Sequence, residues 1–284
     1  MGDILKKLFE TIGLLSLICF SFFCTNQISM VIRDNDDILK QIKQIESQYK
    51  IEPINAVIVG NTIIPGVAGS EIDVNKSYKK MKKINSFNDN LLVYKDIKPE
   101  ISVKNMYDKY IISGNKNKQE VALLFVVKDS DNISDILSIL AEKEVDATFF
   151  IDSVWFENNN ELAMQLVESG HTIGTLGYSE DYNSSSISWM NSVIKSLIKQ
   201  DSTYCYIINN DEALGMCSKN KSYTITPSIV VENNPLIEIK KQLRSGSIIS
   251  LEVNNNTIKE LSLILDYIDS KGYKMVNIES LIDE

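Results

Sequence analysis

From residue 121 onward, short apolar runs alternate with amphipathic segments, and this alternation restricts the chain to an α/β fold with a parallel sheet. The run at 121–127 is apolar throughout, the pattern of a strand covered on both faces. An amphipathic helix follows at 133–144, a strand at 146–151, a helix at 160–169, a strand at 171–174 and a helix at 187–199. Further strands are predicted at 204–208, 223–225, 247–251 and 273–277, with helices at 212–219, 236–243 and 258–270 between them. Roughly seven β/α units predict a barrel or near-barrel whose functional residues stand at the C-terminal strand ends.

The first 118 residues have a different texture. Lys6 and Lys7 precede an apolar run from Ile12 to Cys24, with weaker apolar character to Ile32. The strict core has the length of a signal-peptide core, whereas the full run, about 21 residues, is long enough to cross a bilayer as a helix. No small-residue cleavage site follows it, and Phe22 and Phe23 stand where a lipid-modified cysteine would need a small neighbour. An uncleaved signal anchor is the preferred reading, ahead of a cleaved signal or a buried core helix. Lys6 and Lys7 then keep the N-terminus cytoplasmic and put everything after Arg33 outside. Ile38, Ile42, Ile45 and Tyr49 recur at helical spacing, which predicts an amphipathic stalk over 33–53. Strands at 56–60, 62–64 and 91–94, a turn-rich loop with Pro65, Gly66 and Gly69, and a basic helix at 77–83 make 54–118 a small, mainly β module. The lysines of that helix read as a solvated face. The domain plan is thus 1–32 cytoplasmic tip and signal anchor, 33–53 stalk, 54–118 β module and 119–284 α/β domain.

The net charge of −9 argues against nucleic-acid binding and against docking of the folded part on anionic lipid. One histidine, His171, cannot make a two-histidine zinc site, so a metal would need a carboxylate shell suited to calcium or magnesium. Of four cysteines, Cys19 and Cys24 lie in the apolar run. Cys205 and Cys217 could pair in an oxidising compartment, but two buried thiols are the preferred reading.

The strand-end residues of the α/β part resemble the polysaccharide deacetylase (NodB-homology) family over about 119–284. Val121-Ala-Leu-Leu-Phe125 aligns with the family's opening strand, which runs on into Thr-Phe-Asp-Asp-Gly. Ala147-Thr-Phe-Phe150 is identical to its second-strand motif, and Glu168-Ser-Gly-His-Thr-Ile-Gly174 matches Glu-x-Gly-His-x-Ile-Gly. Gly246-Ser-Ile-Ile249 and Lys271-Gly-Tyr-Lys-Met-Val276 are similar to its last strands. The resemblance implies a distorted (β/α) barrel. It also implies a divalent metal, usually zinc, held by one Asp and two His, with a second Asp as base, removing acetyl groups from cell-wall sugars or chitin-like polymers. The metal lowers the pKa of its water and polarises the carbonyl, and the base takes the water's proton.

Position by position, those residues are missing. Val126 stands where the base belongs, Val127 where the metal-binding Asp belongs, and Lys128 where the glycine belongs. Leu176 replaces the first histidine ligand and Glu180 the second, the arginine strand has become Tyr204-Cys-Tyr-Ile-Ile208, and Glu252 takes the leaving-group acid's place. No cofactor is therefore expected. His171 is outside the family's metal triad and reads as structural. Asp129, Asp152, Tyr178, Glu180, Asp181 and Glu252 are candidate cleft residues, and Asp129 and Asp131 also suit the loop and cap of the next helix. Trp155, Phe156, Tyr178, Tyr182 and Trp189 could stack on sugar rings or simply pack.

The leading expectation is a non-catalytic, membrane-anchored, deacetylase-like protein of the bacterial envelope, binding cell-wall glycan or an envelope protein. Its alternatives are an active N- or O-acetyl deacetylase with an atypical site, and a structural envelope or sporulation protein. The old site is expected to be plugged or narrowed by branched carbons.

Overall fold

The computed structural model describes residues 35–128, 133–177, 182–200 and 202–284, together with Gly13, Leu15, Ser16, Leu17, Phe20 and Ser21. The expected anchor falls largely outside them, and among the described residues no helix is long and apolar enough to cross a membrane. The chain forms two compact units, Met1–Glu52 with Gly69–Ile97, and Pro53–Ala68 with Lys98–Glu284. After α1 (Asp37–Ile45), the hairpin β1 (Val57–Val59) and β2 (Thr62–Ile64) belongs to the second unit. The segments β3 (Gly69–Ile72), α2 (Val74–Lys82) and β4 (Tyr94–Ile97) return to the first.

In the first unit, Asp36 starts α1 by accepting from the Ile38 N–H, and Asp73 starts α2 by accepting from the Lys76 N–H. The apolar faces of the two helices meet: Ile38 and Ile42 bury against Met81 and against Ile72 of β3, which pairs antiparallel with β4. The Asp36 carboxylate also receives Tyr78 and Lys82, and the Lys82 ammonium beside it holds it below the usual carboxylate range. Within the expected stalk, α1 therefore packs against α2 and β3 instead of standing free. The helical stripe that predicted one is the buried side of a small core.

The second unit is built on one sheet. In chain order its strands continue as β5 (Tyr110–Ile111), β6 (Glu120–Val126), β7 (Thr148–Ile151), β8 (Thr172–Thr175), β9 (Tyr204–Tyr206) and β10 (Tyr223–Ile225). The last three are β11 (Ile229–Val230), β12 (Ile248–Glu252) and β13 (Lys274–Val276). The spatial order is β1-β2-β5-β10-β9-β8-β7-β6-β12-β11, with β13 on β6, and every pair but β1–β2 is parallel. Ile63 of β2 and Ile248 of β12 share one core cluster although six strands separate them, so the sheet curls. Its ends, β1 and β11, do not pair among the described residues, which leaves the barrel open. The crossovers carry α3 (Ile133–Glu142), α4 (Ser153–Asn158), α5 (Asn160–Glu168), α6 (Ser184–Val193, continued by a π turn), α7 (Asp211–Lys219), α8 (Pro235–Gln242) and α9 (Asn255–Ser270), and α10 (Ile278–Ile282) follows β13.

Alternation along β6 sorts its side chains. Val121, Leu123, Phe125 and Val127 pack under the helices, whereas Ala122, Leu124 and Val126 face the inside of the curl. The expected module at 54–118 does not exist as such. Its hairpin pairs with β5 and joins the large sheet, while 69–97 builds the first unit. These partners lie far along the chain, so local pattern could not show them. Four further differences are local. The strand expected at 91–94 is a 3₁₀ turn at Asp89–Leu91 followed by β4. The segments α4, β11 and α10 carry too few residues for a periodic signal.

Cys205 on β9 and Cys217 on α7 form a disulfide with Cα atoms 6.5 Å apart, rather than two free thiols. Consecutive β9 and α7 pack face to face, and that brings the two sulfurs together.

Candidate functional site

The C-terminal strand ends enclose a cleft of about 470 Å³. Val126 at the end of β6 and Leu176 just past β8 supply its aliphatic floor, and Ile207, Ile208, Val230 and Val231 supply an apolar wall. The rim is polar. The Lys128 Nζ lies 3.0 Å from the Glu252 Oε1, joining the ends of β6 and β12 in an ion pair half exposed to solvent. Exposure at that level leaves little net energy in the pair, so its effect is to shape the rim.

Two tyrosines complete the cleft. Tyr206 points inward from β9, and its hydroxyl lies 2.9 Å from that of Ser250 on β12. Burial raises its pKa, with Ser250 and Lys128 opposing. Its ring packs 5.4 Å from Phe150. The Tyr182 hydroxyl donates to the carbonyls of Tyr206 and Thr175, tying the segment after β8 to the end of β9. Asn210 closes the far side while its side chain caps α7 at the Ala213 N–H.

The expected site residues are placed unevenly. Val126, Leu176 and Glu252 meet in the cleft. Val127 does not: it is fully buried on the helix side, its N–H bonded to Phe150 O at 3.0 Å. Asp152 caps α4, accepting from Trp155 N at 2.6 Å, and does not line the cleft. Asp129, Asp131, Tyr178, Glu180 and Asp181 lie outside the described residues. His171 sits at the other end of the sheet, where its Nδ1 accepts from Ala147 N at 3.2 Å and burial lowers its pKa. Of the aromatics, Tyr182 lines the cleft, Trp155 and Phe156 are core, and Trp189 sets its edge on Phe156.

Among the described residues, Val126 and Leu176 line the cleft of about 470 Å³ rather than fill it. Sequence reasoning missed Tyr206, Ser250 and the β11 wall. A tyrosine and a serine at inward positions of two strand ends were the available signal, but their meeting depends on the curl.

Hard or borderline cations need oxygen, nitrogen or thiolate donors, and Val126 and Leu176 offer none. Among the described residues no three His, Cys, Asp or Glu side chains gather. The described donor set does not fit a catalytic metal.

An open, curled parallel sheet with a cleft at its C-terminal strand ends, carrying the motifs of β7 and β8, is the arrangement of a polysaccharide deacetylase-type domain. Residues 113–208 match the polysaccharide deacetylase family. The uncharacterized protein YlxY of Bacillus subtilis is 34% identical over 151 residues, 52% of this chain, and the chain spans 47% of that relative's length. Among solved structures, a CE4 family pseudoenzyme from Bacillus anthracis superposes with a TM-score of 0.67 at 24% identity, over 88% of this chain and 96% of the other. The family 4 carbohydrate esterase PdaA of Bacillus subtilis superposes at 0.53, with 18% identity over 81% and 97%. At these identities the structural likenesses establish the fold.

Proposed function

We propose that this chain is a non-catalytic, deacetylase-like protein of the bacterial envelope, tethered through its N-terminal apolar run, whose cleft binds cell-wall glycan. The observation that carries the reading is the floor. Aliphatic Val126 and Leu176 stand at inward strand-end positions where the family chemistry needs a proton acceptor and a metal ligand. Without them the steps that activate water and stabilise the developing charge have no groups to act.

Three further observations support it. The cleft offers hydroxyls at Tyr206 and Ser250 and a charged pair at its rim, groups that hydrogen-bond sugar hydroxyls. The Cys205–Cys217 disulfide suits an oxidising compartment outside the cytoplasm. A structural neighbour is itself described as a pseudoenzyme, and a mutant of it as having restored enzymatic activity, so the fold tolerates loss of the chemistry.

The test is binding and turnover on one preparation of the full chain. Retention on peptidoglycan or chitooligosaccharide without acetate release is expected. Acetate release accompanied by stoichiometric metal would overturn the non-catalytic reading, and failure to retain any glycan would overturn the binding reading.

A further inference from the structure

The acidic net charge is not evenly spread. Beyond the apolar run, residues 33–52 and 69–97 of the first unit hold 10 basic and 9 acidic residues, whereas the second unit holds 17 basic and 27 acidic. The argument from net charge against anionic partners therefore applies to the second unit alone.

Within the first unit the positive charge is ordered. At 100° per residue, Lys76, Lys79, Lys80 and Lys83 of α2 and its C-terminal residue fall inside an arc of about 100°, and Lys83 keeps helical backbone angles (φ −64°, ψ −31°). All four are exposed, and the opposite side of the helix carries the buried Ser77 and Met81. Lys82, off the stripe, is the lysine that pairs with Asp36. Lys76 pairs with Asp73 at 3.3 Å, whereas Lys79, Lys80 and Lys83 make no ion pair among the described residues. The helix dipole rewards cations in a last turn, but it does not require them to share one face pointing away from the core.

We infer that this lysine stripe docks the first unit on anionic lipid headgroups. The inference rests on the proposed tether. The apolar run ends at Ile32 and α1 begins at Asp37, so with the run in a bilayer about 17 Å of extended chain is the most that separates unit and membrane. That is within a factor of two of the Debye length of about 10 Å. A basic helix face held there meets the negative surface at high effective concentration, and each juxtamembrane lysine strengthens attachment about fivefold. The stripe would fix the first unit against the surface.

The experiment mixes the full chain with vesicles of phosphatidylcholine alone or with added phosphatidylglycerol, reading flotation and the acylation of individual lysines by mass spectrometry. The expected result is flotation with both, and protection of Lys79, Lys80 and Lys83 only with phosphatidylglycerol, lost at high salt and in the K79Q/K80Q/K83Q variant. Flotation with both but equal acylation keeps the tether and overturns the stripe. Salt-sensitive flotation with phosphatidylglycerol alone keeps the stripe and overturns the tether. Flotation with neither overturns both. Protection by soluble polyphosphate on neutral vesicles, with none from phosphatidylglycerol, reassigns the stripe to a dissolved polyanion and overturns the lipid assignment.

Discussion

Phe150 lies directly opposite Gly174 on the paired strands β7 and β8, and its ring fills the volume that a Cβ at residue 174 would need. At the other end of the same strand pair, His171 accepts a hydrogen bond from Ala147 N. The two motifs that most resemble the deacetylase family, Ala147-Thr-Phe-Phe150 and His171-Thr-Ile-Gly174, are thus the two sides of one packing arrangement. They build the strand pair and leave the family's catalytic positions to other residues, so they can remain whatever those positions hold.

Gly174→Ala is expected to destabilise the second unit by about 1–3 kcal/mol, since Phe150 is fully buried and the core must be overpacked to take the methyl. Phe150→Leu in the same chain should recover part of the loss, a non-additivity readable in a double-mutant cycle by urea unfolding. Strictly additive losses would show that the ring and the glycine are not coupled.

Reduction of Cys205–Cys217 opens a loop with a sequence separation of 12. A loop of that length contributes about 3 kcal/mol in the chain-entropy account, so reductant, or the paired Cys→Ser variant, should lower Tm by roughly 6–12 °C in a unit of this size. The same loop carries Tyr206, Ile207, Ile208 and Asn210 of the cleft wall. Glycan retention should fall with it. Unchanged Tm and retention after verified reduction would count against the disulfide as a brace of the wall.

His171 gives a pH dependence of defined sign. Burial holds its pKa below the ordinary 6.5, with Asp146 opposing. The unfolded chain therefore takes up a proton before the folded one as pH falls. Stability from this group is present above pH 6.5 and is lost as pH drops through the depressed folded value. Thermal melts of wild type should decline across that window, and His171→Gln should flatten the decline while lowering stability at neutral pH. A parallel pH profile in the variant would assign the decline to other groups.

Two glycines in left-handed conformation separate strain from crowding. Gly272 (φ +76°) has open space around its missing Cβ, so Gly272→Ala should cost about 1 kcal/mol. A Cβ at Gly246 (φ +82°) would press against the backbone carbonyl of Gly114, whose N–H donates to the Gly246 carbonyl at 2.8 Å. Gly246→Ala carries both penalties and should cost about 3 kcal/mol or more, read as the difference between two denaturation midpoints. Equal losses at the two sites would mean that the backbone near Gly114 yields.

The sequence by itself determined most of the alternating order of strands and helices after residue 120, because strands such as β6, β7 and β12 are mainly apolar runs and the long helices are periodic stripes. It also put Val126 and Leu176 at the positions where the family resemblance expects a base and a histidine ligand. Tertiary structure alone decided the rest. It sent the hairpin of β1 and β2 to β5 and folded 69–97 back onto α1, because strand pairing and helix docking choose partners at any distance along the chain. It turned Val127 to the helix side and Val126 into the cleft, joined Tyr206 to Ser250, and set Cys205 beside Cys217. The physical reason is the curl of the sheet and the packing of helices on it: both bring together side chains that no local pattern relates.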